Sequence, residues 1–256
     1  GVSLQHRTRD RLTLVDIFVY PDLLEMRVPD RTPGEVVRGE HLIALVERTP
    51  CLLISGDSQS GKTTLGKALF RHLLGKGHVP VWLTHEDGVP RGERLLGLLE
   101  RRFIEQYGPT ALEQYRQLEP SRRVVIVDDY DRLRTSRDRR GEMIRSLGKL
   151  AHRVIIFAND LALDIEQAVA GGGGGVDEFA LMHYRIQALG HLRRNRLVEQ
   201  WLSLAGPERD TSEFSHKLEE ITRLLDAIVG KNFVPPYPVY VLAVLQASEA
   251  ATQVDT

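Results

Sequence analysis

The chain has 256 residues, a formal net charge of -1, 42% hydrophobic residues, 27% charged residues and one cysteine. This composition is that of an ordinary globular protein with enough chain to bury a core. The near-neutral charge argues against a broad electrostatic surface for nucleic acid or for an anionic membrane, and a lone Cys51 excludes an internal disulfide framework.

No signal peptide is visible in the residues from Gly1 onward, and no apolar stretch approaches the roughly 18 residues that a membrane span needs. We therefore expect a cytoplasmic protein with no membrane partner, in which Cys51 is a buried structural thiol rather than a reactive one. The chain begins Gly1-Val2-Ser3 without a methionine, which suggests a trimmed tag or an excised domain.

The N-terminal part of the chain predicts few regular elements. Residues 1–33 indicate an irregular lead-in segment with one strand-like apolar run, Leu14 to Tyr20. Residues 35–49 have the apolar spacing of a helix with one buried face. The continuous apolar run Cys51 to Ser55, bounded by Pro50 and Gly56, is typical of a buried parallel strand.

Further along the chain, helical patterns alternate with short apolar runs. Helices are predicted around residues 65–74, 92–118 and 143–150, and strands at 80–84, 124–127 and 154–157. Strands that alternate with helices predict an α/β fold with a parallel sheet and helices on both faces.

The C-terminal part has a different character. An apolar helical pattern from Leu218 to Ile228 is followed by a break at Pro235–Pro238, and a second helix resumes at Val239. We therefore predict three parts, namely a lead-in segment (1–33), an α/β core (34–206) and a small helical lid subdomain (207–256).

Five consecutive glycines occupy Gly171–Gly175. Glycine loses the most backbone entropy on ordering, so this run predicts a flexible surface loop rather than a packed element. An engineered replacement of a longer loop remains the alternative.

The most informative motif is Gly56–Thr63, which matches G-x-x-x-x-G-K-[ST] position for position, with a predicted strand before it and a helix after it. In such a loop the backbone N–H groups surround the β-phosphate, Lys62 bridges the β- and γ-phosphates, and the Thr63 hydroxyl binds Mg²⁺. The residues expected to bind ATP or ADP here are Gly56, Asp57, Ser58, Gln59, Ser60, Gly61, Lys62, Thr63 and Thr64.

A second motif is the apolar run Val124 to Val127, which ends in the pair Asp128-Asp129. A phosphate-loop enzyme needs an acid at this place to hold Mg²⁺, and we assign Asp128 to that role. Asp129 is then expected to activate the attacking water as general base, and Lys62 to assist catalysis. The alternative is that Asp129 and Asp131 only cap a following helix.

The next predicted strand ends in Asn159-Asp160. The carboxyl ends of parallel strands face the ligand crevice, so Asn159 or Asp160 is a candidate sensor of the γ-phosphate or of the attacking water. A plain turn is the alternative.

These residues together resemble the additional-strand P-loop ATPases and, within them, the STAND class of signal-transduction ATPases. The Asp128-Asp129 pair resembles the end of their acidic strand. The resemblance implies that this strand is inserted between the phosphate-loop strand and its neighbours in the sheet. Residues 37–42 resemble the helix that precedes their phosphate loop, and residues 230–242 resemble their lid segment. The resemblance covers residues 14–246.

The resemblance implies a domain that binds ATP or dATP with Mg²⁺, hydrolyses it slowly and changes its arrangement or forms homo-oligomers. It also implies that Pro238 contacts adenine, with the nucleotide held between sheet and lid, and that effector and sensor domains are the partners, as in bacterial antiviral proteins. Many STAND members have an arginine after the third strand, where this chain has Asn159-Asp160. The usual repeats are absent.

Two arginine-rich segments allow further interpretations. Arg132, Arg134, Arg137, Arg139 and Arg140 indicate either a solvated face or nucleic-acid contacts, and the lack of interleaved aromatic residues disfavours single strands. One of Arg193, Arg194 and Arg196 could reach the nucleotide of a neighbouring subunit.

Two other functions remain open beside the switch. One is a DNA-linked motor or loader ATPase of the AAA type, and the other is a P-loop kinase. The aspartate pair after a buried strand suits water activation better than recognition of a phosphate acceptor, which disfavours the kinase.

Overall fold

A computed structural model describes residues 12–27, 32–90, 92–159, 181–204, 211–230 and 235–254. The glycine run Gly171–Gly175 and the candidate sensor Asp160 lie outside the described residues. The helices are α1 (Leu14–Ile17), α2 (Leu42–Arg48), α3 (Lys62–Gly75), α4 (Glu93–Tyr107), α5 (Leu112–Arg116), α6 (Arg137–Leu150), α7 (His191–Ser203), α8 (Ser212–Gly230) and α9 (Pro238–Val254). The strands are β1 (Leu23–Arg27), β2 (Thr32–Val37), β3 (Cys51–Ser55), β4 (Val79–Leu83), β5 (Arg123–Val127), β6 (Arg153–Ala158) and β7 (Leu181–Ile186).

The strands form one seven-stranded sheet in the order β2-β1-β7-β3-β6-β5-β4. Strands β7, β3, β6, β5 and β4 run parallel, whereas β1 and β2 are antiparallel to their neighbours. The sheet is therefore mostly parallel, and the predicted α/β fold class is confirmed.

The central strands are apolar along their whole length. Every residue of β3 and of β6 is buried, and the valines and isoleucine of β5 are fully buried. A strand in the middle of a parallel sheet is covered on both faces, so a continuous apolar run is what it requires. Cys51 belongs to this core, and burial raises the pKa of its thiol, as expected for a structural cysteine.

The two strands at the ends of the sheet order each contain a proline. Pro33 lies in β2 and Pro80 lies in β4, and each of these strands pairs with a single neighbour. A proline cannot donate a backbone hydrogen bond, so an edge strand is the place in a sheet where it fits.

The chain divides into two compact units. One unit contains β1 to β7 with α2 to α6, apart from Gln59–Gly61 of the phosphate loop. The other unit contains Gln59–Gly61, the described residues up to Asp22 and those from Gln187 onward.

The helical unit has its own apolar core around Trp201 of α7. Trp201 is fully buried among Ile17, Val241 and Leu245, and its indole Nε1 donates a hydrogen bond of 3.0 Å to Glu249 Oε1. The contact ties α9 to α7 through both apolar burial and a satisfied indole N–H.

Two arginines of α7 are structural. The buried Arg193 donates to Asp22 Oδ1 at 2.9 Å, and the buried Arg194 contacts Asp226 Oδ1 at 2.9 Å. These ion pairs occupy the guanidinium groups of Arg193 and Arg194, and the expectation that one arginine of this segment reaches a neighbouring nucleotide stays a prediction. Arg196 alone of the three is exposed.

The sequence-based assignment of the N-terminal elements needs correction. Leu14–Ile17 form a short helix, not the start of a strand, and the lead-in segment contains a strand of the sheet, β1. Residues 32–37 form β2, so the helix predicted from residue 35 begins only at Leu42, after a turn at Gly39–His41. The apolar residues in 35–49 happen to recur with the spacing of a helix. The prediction therefore combined the end of a strand, a turn and a helix into one helix.

The acidic strand β5 is not adjacent to the phosphate-loop strand β3, since β6 lies between them. Strand β7 was not predicted, although it pairs with β3 along its length. The predicted boundaries at residues 33 and 206 stay a prediction.

The packing of α3 against the sheet generates a prediction at Gly66. A Cβ built on Gly66 would lie 2.6 Å from Cη2 of Trp82 and 2.9 Å from Cε2 of Phe157. We expect Gly66→Ala to lower the free energy of unfolding by about 1–3 kcal/mol, because both rings must move. Urea denaturation followed by circular dichroism measures the change.

The matched control is Gly97→Ala in α4, where nothing lies within 4 Å of the added Cβ. That substitution should raise stability by about 0.5–1 kcal/mol through the higher helix propensity of alanine. Equal effects of the two substitutions would contradict the close packing described for Gly66.

Candidate functional site: a phosphate loop at the carboxyl edge of the sheet

The loop between β3 and α3 contains two residues with left-handed backbone conformations. Gln59 has a φ of 67° and Gly61 a φ of 98°, and α3 begins directly afterwards at Lys62. Left-handed residues next to right-handed ones turn successive N–H groups to the same side, which makes a concave site for an anion. A fourteen-residue helix begins at the loop and adds the positive end of its dipole.

Burial separates the residues of the loop into two groups. Gly56, Ser60 and Lys62 are buried, whereas Asp57, Ser58, Gln59, Thr63 and Thr64 are exposed. The Ser60 hydroxyl oxygen is buried and has no hydrogen-bond partner among the described residues.

The Lys62 ammonium group is held inside its own loop. Its Nζ donates hydrogen bonds to the carbonyl oxygens of Gly56 (2.8 Å) and Asp57 (2.7 Å), and the residue is only 8% exposed. A buried ammonium group needs such acceptors, and a phosphate oxygen could replace them without moving the charge far.

Thr63 and Asp128 form the central contact of the site. Thr63 Oγ1 donates a hydrogen bond of 2.8 Å to Asp128 Oδ2. Asp128 is 6% exposed, and its other oxygen, Oδ1, is buried without a hydrogen-bond partner in the described part of the chain. A hydroxyl and a carboxylate with a free buried oxygen are the donor set that suits Mg²⁺, so these residues fit the metal.

The carboxyl of Asp128 is in an unfavourable place for a free charge. Burial raises the pKa of Asp128 above its ordinary value, and the nearby charge of Asp129 raises it further. The hydrogen bond from Thr63 and the charge of Lys62 act in the opposite direction. A cation at Oδ1 would relieve the cost of burying the charged form.

Asp129 differs from its neighbour in conformation and in surroundings. It has a left-handed φ of 52°, and its side chain is 36% exposed. Asp129 Oδ2 lies 3.7 Å from His85 Nδ1 and 3.4 Å from Arg132 Nη1. Its side chain makes no capping hydrogen bond to the 3-10 turn Tyr130–Arg132, so the capping alternative receives no support at Asp129.

Asn159 is engaged with a residue that sequence reasoning did not place in the site. Its backbone N donates to Asp131 Oδ1 at 2.9 Å, and its side-chain Nδ2 donates to Asp131 Oδ2 at 3.0 Å. Asp131 therefore orients Asn159, and the sensor role of Asn159 stays a prediction. The sequence shows that Asp131 lies close to Asp128-Asp129, but it does not indicate that Asp131 pairs with Asn159, 28 residues away.

Strand β7 brings two more unpredicted polar side chains to the end of β3 and to the loop that follows it. His183 Nε2 lies 2.8 Å from Ser55 Oγ, and Arg185 Nη2 lies 3.1 Å from Asp57 Oδ1. Both pairs follow from the parallel pairing of β7 with β3. Since β7 was not predicted, nothing in the sequence indicated these contacts.

Residues Gln59–Gly61 belong to the same unit as α9 and contact that helix. Tyr240 donates a hydrogen bond of 2.5 Å from its hydroxyl to Gln59 Oε1. Pro238 is the first residue of α9, and a Cβ built on Gly61 would lie 4.0 Å from Pro238 Cγ. Pro238 therefore lies beside Gly61, within the same unit, and its contact with adenine stays a prediction.

The described residues contain no cluster of three or more His, Cys, Asp or Glu side chains placed to hold a metal ion. None of the described helices is both long enough and apolar enough to cross a bilayer.

Comparisons with known proteins found likenesses in structure only. No protein-family model matches the sequence, and no curated protein matches it either. The Aeropyrum pernix ORC2 protein, in ADPNP-ADP complexes, covers 79% of this chain at 12% identity with a TM-score of 0.48. A Thermotoga maritima RuvB variant covers 82% at 12% identity with a TM-score of 0.42.

The replication initiator DnaA bound to AMPPCP and single-stranded DNA covers 75% of this chain at 14% identity, with a TM-score of 0.39. This chain spans 62% of that DnaA chain, 61% of the ORC2 chain and 67% of the RuvB chain.

Proposed function

We propose that this chain is the ATP-binding and slowly hydrolysing P-loop domain of a larger signalling protein of the STAND class, in which the bound nucleotide sets a switch. The observation that carries the proposal is the Thr63–Asp128 hydrogen bond of 2.8 Å, together with the buried Asp128 Oδ1, which accepts no hydrogen bond from the described part of the chain. It joins the last residue of a G-x-x-x-x-G-K-T motif to the acid that such a motif requires.

Each residue of the site then has a defined task. The backbone of Gly56–Gly61 and the Lys62 ammonium bind the phosphate chain of ATP or dATP. Thr63 and Asp128 hold Mg²⁺, which when bound neutralises charge that develops on the phosphate oxygens. Asp129, which is partly exposed, accepts the proton of the attacking water.

Slow turnover is proposed from the resemblance to the STAND class. In the structure, Asp129 Oδ2 lies 3.7 Å from His85 Nδ1 and 3.4 Å from Arg132 Nη1. Nucleotide-dependent homo-oligomerisation and coupling to effector and sensor domains belong to the same proposal.

The first test is Lys62→Ala. Removal of the buried ammonium should weaken ATP binding by about 1.5–3 kcal/mol, roughly ten- to a hundredfold, because a charge-assisted contact with the phosphates is lost. Isothermal titration calorimetry measures the affinity. The matched control is Lys67→Ala, one turn further along α3, where the side chain is exposed. Unchanged affinity in Lys62→Ala would refute the assignment of the phosphate loop.

The second test separates the two aspartates. We expect Asp129→Asn to leave ATP affinity intact and to slow single-turnover hydrolysis by about 10²–10⁴-fold, since the geometry is kept and the base is lost. Asp128→Asn should instead weaken the Mg²⁺ dependence of ATP binding, because a metal ligand loses its charge. If the two variants behave alike in both assays, the division of tasks between Asp128 and Asp129 is wrong.

The third test concerns α9, whose Pro238 we propose as a contact of adenine. Tyr240→Phe removes the hydrogen bond to Gln59 and should speed nucleotide release about two- to tenfold, the range expected for one neutral hydrogen bond. Stopped-flow displacement of a fluorescent ATP analogue measures the release rate. Ala247→Ser, on an exposed position of the same helix, is the control. Release at the parent rate in Tyr240→Phe would mean that α9 does not retain nucleotide through Gln59.

A further inference from the structure

A cavity lies in the sheet unit, next to the acidic pair, and no residue of the phosphate loop lines it. It has a volume of about 440 Å³ and lies between the segment that follows β4 and the segment that follows β5. It is lined by His85, Glu86, Gly88, Val89, Arg132, Arg134, Thr135 and Arg139. Its volume is within the range of about 300–1,000 Å³ that is common for sites of small molecules.

The lining of this cavity carries an excess of positive charge. Three arginines face it and Glu86 is its single carboxylate. Arg134 and Arg139 make no ion pair and no side-chain hydrogen bond with any described residue, whereas Arg132 contacts Asp129 Oδ2 at 3.4 Å. Two guanidinium groups at the cavity are thus left without a counter-charge from the described chain.

The arginines of this segment do not form one uniform solvated face. Arg140 is half-buried and supports the loop, since its Nη2 donates to the carbonyl oxygen of Leu133 at 2.6 Å. The buried Tyr130 in turn donates its hydroxyl hydrogen bond to the carbonyl oxygen of Arg140. Leu133 is also buried. The segment that carries Arg132 and Arg134 is therefore held in place by the buried side chains of Tyr130 and Leu133.

We propose that this cavity is a second anion site that binds a phosphate group, separate from the phosphate loop. The guanidinium fork of arginine matches a phosphate in two parallel hydrogen bonds, and Arg134 and Arg139 have their donors available. His85 and the Thr135 hydroxyl supply further donors at the same cavity. The phosphate can come from a small phosphorylated molecule or from the backbone of a nucleic-acid strand.

The test uses the full chain carrying Lys62→Ala, so that the phosphate loop contributes little and the outcome does not depend on the proposed ATPase activity. Tripolyphosphate is titrated by calorimetry, and a fluorescein-labelled twenty-nucleotide thymidine strand by fluorescence anisotropy, at fixed salt. The substitutions Arg134→Gln and Arg139→Gln are added together. The matched control is Arg71→Gln with Arg94→Gln, two exposed arginines elsewhere in the sheet unit.

We expect the Arg134 and Arg139 pair of substitutions to weaken binding at least about tenfold, and the control pair to weaken it less than about twofold, since the control alters only net charge. Arginine-dependent binding of tripolyphosphate alone identifies a small phosphorylated ligand. Arginine-dependent and tighter binding of the strand identifies nucleic acid. If neither probe binds, or if both pairs of substitutions have equal effects, the proposal is overturned.

Discussion

The hydrogen bond between Thr63 and Asp128 is the constraint on which the site depends. It joins the first turn of α3 to the end of β5, although β6 lies between β5 and the strand that precedes α3. The loop after β3 and the start of α3 must therefore reach past the end of β6. The ends of β3, β6 and β5 must lie at the same level of the sheet for Thr63 to come within hydrogen-bond distance of Asp128. The parallel register fixes this, since Ser55 is opposite Ala158 and Val127 is opposite Ile156.

This arrangement includes features that are energetically unfavourable in the protein without a ligand. Asp128 is buried with a raised pKa, its Oδ1 has no hydrogen-bond partner among the described residues, and Asp129 has a left-handed backbone conformation. Features of this kind persist when the surrounding structure enforces them, and here the buried strands β3, β5 and β6 supply that support. The buried residues of these strands thus stabilise the fold, whereas the polar residues that follow them form the candidate site.

The sequence was sufficient for the four strands β3 to β6, because each has a continuous apolar run, and for the positions of Asp128 after β5 and of Thr63 in α3. It was insufficient where a contact joins residues far apart. The pairing of Asn159 with Asp131 and that of Arg185 with Asp57 arise only after the strands have aligned. Strand β7 carries His183 and Arg185 on alternate positions, so its apolar signal is weak.

The prolines at the sheet margins have a consequence for how copies of this chain can meet. An unpaired strand edge is a template on which a second sheet can grow, and proteins commonly block it with proline. Pro33 interrupts the hydrogen-bonding row of β2 and Pro80 that of β4, so a continuous sheet across two molecules is disfavoured at either margin. A ring or filament built from this domain is therefore not expected to extend the described sheet from one copy to the next.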